Sequence, residues 1–129
     1  TMNPSQIDLL NTLERYVRNL ESADNTETER TGQHVERLNE YIDIGLEIAN
    51  STPIASTPEV REQWIKRIYQ TLFEAALDLM LPLHWRNLCL DSLYQPLFAL
   101  KHLYRNQPNG EQRIRALYYE LSVTTHHIF

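Results

Sequence analysis

The chain is 129 residues long, 42% apolar and 22% charged, the make-up of one ordinary globular domain. Three Gly and six Pro exclude collagen-like and low-complexity chains, and a single Cys, Cys89, excludes an internal disulfide. No uncharged stretch approaches the roughly twenty residues of a bilayer-spanning helix. The formal charge of −5 is unevenly placed: residues 1–50 carry ten acids against four Arg, while residues 51–129 carry eight bases against seven acids. An acidic N-terminal portion repels phosphate and suits a basic partner surface, so direct nucleic-acid binding is not expected. The absence of a basic cluster speaks against an anionic membrane. Thr1 ahead of Met2 reads as a cloning remnant, and with no basic-then-apolar leader the expected location is cytoplasmic.

Apolar spacing of three to four residues predicts helices nearly throughout, with no convincing strand. The first begins at Pro4, with Asn3 as its N-cap, and runs to about Glu21 through Leu9, Leu10, Leu13, Tyr16, Val17 and Leu20. Asp24 and Glu27 have the spacing of a capping box for a second helix ending near Asn50. Its apolar residues Val35, Leu38, Tyr41, Ile42, Ile44, Leu46, Ile48 and Ala49 cover about half of the circumference. Gly45 on that face predicts close approach of another backbone, since glycine costs a helix about 1 kcal/mol relative to alanine.

Thr57 before Pro58 starts a third helix, with Ser56 and Glu59 as an alternative capping box, and Pro82 is its expected stop or bend. Val60, Trp64, Ile65, Ile68, Tyr69, Leu72, Phe73 and Ala76 form its apolar face. The segment from Leu83 to Tyr104 is apolar on nearly every side and is expected at the centre of the fold. Pro96 cannot donate to the Ser92 carbonyl, which predicts a kink or a break into two helices. After a turn at Asn106–Gly110, Asn109 caps a last helix carrying Ile114, Leu117, Tyr118, Leu121, Thr125 and Ile128. The expected fold is all-α, a compact bundle of five to six helices in a single domain spanning 1–129.

Motifs for chemistry are sparse. The glycines at 32, 45 and 110 are too scattered for a phosphate loop, and neither G-x-S-x-G nor Glu-x-x-His occurs. His84 and Cys89 diverge by about 140° on a helix, so they make no catalytic pair, and Cys89 reads as a small buried hydrophobe. Adjacent His126 and His127 point about 100° apart and suit a helix C-terminus better than a metal. None of the five histidines has the context of a phosphotransfer helix. No cofactor and no metal are expected, and the chain reads as a non-catalytic protein.

One pattern rises above background. Glu29, Glu36, Glu40, Asp43 and Glu47 follow spacings of seven, four, three and four, which places them within an arc of about 60° on the second helix. Like-charge neighbours four apart destabilise an isolated helix by about 0.2–0.5 kcal/mol per pair. Two arrangements accommodate such a stripe: a solvated face with occasional pairing to Arg61, Arg67, Arg113 or Arg115 from other helices, or docking of a basic protein surface. The second gives the leading functional expectation, an interaction module (adaptor, regulator, antagonist or specialised chaperone). Trp85, at a helix start after Pro82, and outward-facing Tyr119, next to an inward Tyr118, are further contact candidates because Trp and Tyr are enriched among binding hot spots. The large apolar circumference also allows a homodimer, with Ile128 and Phe129 at its interface or over the bundle end. An alternative expectation is a helical sensor in which Trp85, Tyr94, Leu97 and Phe98 line an apolar ligand cavity at Pro96.

Overall fold

The computed structural model describes residues 4–20 and 27–128, with the side chains at 4–5, 27–31 and 127–128 outside the description. Six helices follow one another: α1 (Pro4–Asn19), α2 (Glu27–Ala49), α3 (Pro58–Leu77), α4 (Leu83–Asp91), α5 (Tyr94–Tyr104) and α6 (Gly110–Ile128). Among the described residues there is no strand, and the all-α bundle expected from the periodicity is the observed fold. The expected Asn3 cap, the Asp24 side of the capping box and the packing of Ile128 and Phe129 lie outside the described residues.

The start of α3 follows the sequence rule: Thr57 is extended and its hydroxyl accepts the Val60 N–H at 3.2 Å, while Pro58 fills the first helical position. Its end does not wait for Pro82. Asp78 leaves helical geometry (φ −77°, ψ 104°) and its carboxylate accepts the Met80 N–H at 2.9 Å, an Asx turn that stops the helix just after the buried pair Ala75 and Ala76. The buried Arg86 then donates from Nε to the Ala76 carbonyl, closing one of the last-turn acceptors of α3.

The Pro96 break also falls earlier than its residue number. Helix α4 stops at Asp91 and α5 starts at Tyr94, so Pro96 occupies the third position of a new helix. There its missing N–H is one of the four donors that a helix start leaves unpaired anyway. The Ser92 carbonyl, which Pro96 cannot serve, accepts the Gln95 N–H at 3.2 Å instead. Splitting this segment moves the centre of the fold: α3, not residues 83–104, is the element that packs against α1, α2, α4 and α5. Leu83, Tyr94 and Phe98 face outward.

The main core joins Leu10, Leu13 and Val17 of α1 to Leu38, Tyr41, Ile42 and Ile48 of α2, Ile68, Leu72 and Ala76 of α3, and Trp85, Cys89 and Leu93. A smaller cluster of Ala49, Ile65, Leu100 and Tyr104 closes the other end. Gly45 faces α3, but what it accommodates is a side chain and not a backbone: a Cβ there would run into Cδ1 and Cγ1 of Ile68. Asn109 takes a left-handed conformation (φ 62°), which asparagine tolerates, and starts α6 by accepting the Arg113 N–H on its carbonyl. Helix α6 packs chiefly against α5.

Candidate functional site on the outer face of helix α2

Counting about 100° per residue, the buried residues of α2 (His34, Leu38, Tyr41, Ile42, Gly45, Ile48 and Ala49) span about 120° of the helix. The centre of the acidic stripe lies roughly 170° from the middle of that arc, so packing the apolar face fixes the acids on the opposite side. Glu36, Asp43 and Glu47 are exposed and Glu40 is half-buried. Glu29 belongs to the same helix, but its side chain is outside the described residues.

Among the described residues, no arginine of another helix pairs with the stripe. Arg67 places Nε and Nη2 on the two oxygens of Glu14, each at 3.0 Å, and donates to Asn11 at 2.6 Å. Arg113 pairs with Glu62 and lies over the Tyr104 ring, its guanidinium carbon 4.1 Å from the centroid. Arg61 donates from Nε to the Ala55 carbonyl at 3.2 Å. Among the described residues, Glu36, Glu40, Asp43 and Glu47 form no ion pair.

Two of the acids that do find partners, Glu14 and Glu62, are held below their ordinary range. Burial alone would raise the Glu14 carboxyl, but hydrogen bonds from Arg67, Tyr41 and Thr71 and the Arg67 charge outweigh it. For Glu62 burial again opposes, and Tyr104, Lys66 and Arg113 prevail. These clusters tie α1 and α2 to α3, and α3 to α5 and α6.

Trp85 is not a surface anchor. It is 0% exposed, its indole donates to the Val17 carbonyl at 2.9 Å, and its ring meets Tyr16 and His34 edge-on. The third position of a helix beginning after Pro82 turns the indole into the α1–α2 interface. Tyr119 is 73% exposed, and Tyr118, expected inward, is exposed as well, because α6 covers the core with Leu117 and Leu121 alone on this turn. The four described acids share one face of α2, while Tyr119 sits on a helix whose main neighbour is α5.

The ligand site expected at Pro96 does not assemble. Trp85 is in the core and Leu97 is buried, whereas Tyr94 and Phe98 are exposed on the outside of α5, meeting each other edge-on at 6.4 Å. A groove of about 480 Å³ lies instead between the end of α2, the start of α3 and α5, lined by Leu46, Ala49, Arg61, Ile65, Ala99 and Leu103 with Asn50, His102 and Asn106 at its edges.

The sequence reading also missed a pair of histidines fifty residues apart. His34, buried on α2, stacks on exposed His84 of α4 with the rings 10° from parallel and Nδ1 and Nε2 3.2 Å apart. No group of three or more His, Cys, Asp or Glu among the described residues has the arrangement of a metal site. Cys89 is buried, and burial pushes its thiol up to about 12. Among the described residues no helix is long and apolar enough to cross a membrane.

The chain matches no family model, no curated protein and no solved structure.

Proposed function

We propose that the protein is a non-catalytic interaction module that docks a basic protein surface on the outer face of α2, through Glu36, Glu40, Asp43 and Glu47. The observation that carries this reading is that, among the described residues, these carboxylates form no ion pair, while Arg67 is committed to Glu14 and Arg113 to Glu62. Like charges four apart on one helix repel. A basic partner relieves that repulsion, and the field of the stripe speeds the encounter. Nucleic acid is repelled by the same field.

The test is capture from native-host lysate at about 0.05 M and about 0.5 M salt, where screening changes several-fold. The wild-type chain is compared with the Glu36→Gln, Glu40→Gln, Asp43→Asn variant. The reading expects a stoichiometric partner that is lost at the higher salt and in the variant. Retention that ignores both salt and substitution overturns it.

A further inference from the structure

The groove between α2, α3 and α5 combines features that select a ligand. Its floor is apolar, made by Leu46, Ala49, Ile65, Ala99 and Leu103. Its volume of about 480 Å³ is within the roughly 300–1,000 Å³ of small-molecule sites. Among the described residues its only ionisable lining groups are Arg61 and His102, and no acid lines it, in a chain where acids outnumber bases seventeen to twelve.

Arg61 is placed rather than loose. Its Nε is bonded to the Ala55 carbonyl at 3.2 Å, which fixes the plane of the guanidinium, while among the described residues its terminal nitrogens bond to nothing and it forms no ion pair. Nor is it needed to close the end of α2. The Leu46 and Glu47 carbonyls accept the Asn50 N–H, the Ile48 carbonyl accepts the Ser51 N–H, and the Ser51 carbonyl accepts those of Ile54 and Ala55. The α5 end closes in the same way, through Arg105 N–H to the Lys101 carbonyl and Gln107 N–H to that of Tyr104. A guanidinium oriented by one bond with its fork unoccupied is the geometry that receives a carboxylate.

We propose that this groove binds a small aliphatic monocarboxylate, its carboxylate on the Arg61 fork beside His102 and its chain along Ala49, Ile65, Ala99 and Leu103. The proposal is independent of the acidic face of α2, whose residues do not line the groove.

Decanoate, titrated below its micelle concentration and followed by calorimetry and methyl NMR, is the test. Binding is expected to be saturable and one-to-one, with methyl shifts confined to Leu46, Ile65 and Leu103. Decanol, with the same chain and no charge, is expected to bind about tenfold or more weakly, the scale of one charge-assisted hydrogen bond. Arg61→Gln is expected to weaken decanoate by a similar factor and leave decanol unchanged. Ala99→Leu, which fills the floor with an apolar side chain and leaves Arg61 in place, is expected to remove binding of both. No saturable binding, equal affinity for decanoate and decanol, shifts spread beyond the groove, or unchanged binding in folded Ala99→Leu would each overturn the proposal.

Discussion

Arg67 and Glu14 meet as a two-pronged pair across α1 and α3, Nε on one carboxylate oxygen and Nη2 on the other, both at 3.0 Å. The hydroxyls of Tyr41 and Thr71 donate to the same carboxylate, so three helices converge on one charge. Arg67→Ala leaves that half-buried carboxylate short of its cation and is expected to cost about 2–3 kcal/mol by urea unfolding.

The same pair sets a pH dependence. The folded Glu14 carboxyl lies below its ordinary 4.5, so the unfolded chain takes up its proton first as pH falls. The stabilisation is complete above about 4.5 and is lost as pH drops through the lower folded value, and Glu62 adds a contribution of the same sign. Thermal midpoints measured between neutral pH and pH 3 are expected to fall steeply below 4.5, and less steeply in Glu14→Gln.

Gly45→Ala tests the α2–α3 contact. Alanine favours a helix by about 1 kcal/mol over glycine, but here its methyl meets the Ile68 side chain, and overpacking of this kind costs about 1–3 kcal/mol. Net destabilisation is expected, and Ile68→Ala in the same chain is expected to cost less than the sum of the two single changes.

Two buried tyrosines are expected to respond differently to loss of their hydroxyls. The Tyr69 hydroxyl is buried with no hydrogen-bond partner among the described residues, and burial followed by the Glu120 charge pushes its ionisation up to about 12. Tyr69→Phe is therefore expected to be neutral or stabilising, while Tyr41→Phe, which takes a donor from Glu14, is expected to cost about 1–2 kcal/mol.

Helix content, the Thr57–Pro58 start and the burial of Cys89 were legible in the sequence because spacing of three to four residues, cap chemistry and side-chain size are local properties. The end of α3 was also written locally, in Asp78, but the proline four residues later is the louder signal and masked it. Trp85 follows a bend, and nothing in its neighbourhood says that Val17, sixty-eight residues away, offers a carbonyl to it. The commitments of Arg67 and Arg113, like the His34–His84 stack, join residues about fifty apart. No periodicity carries that information, yet it decides whether the α2 acids are neutralised. Of the candidate site, the arc of acids was therefore readable, and the absence of ion pairs to them among the described residues was not.

Burial of Trp85 also yields an expectation. Trp85→Ala empties a large core volume and loses the bond to Val17, for about 3–5 kcal/mol. Any loss of partner binding in that variant is expected to track the unfolded fraction measured by circular dichroism.

The most direct measurement couples stability to binding in one variant, Glu36→Gln, Glu40→Gln, Asp43→Asn, Glu47→Gln. If the stripe is a docking face, removing its charge relieves two like-charge pairs and raises folding stability by about 0.4–1 kcal/mol. In the same protein the association rate of the captured partner falls and loses its salt dependence. A variant that is no more stable than wild type and associates at the wild-type rate, with the wild-type response to salt, contradicts the account.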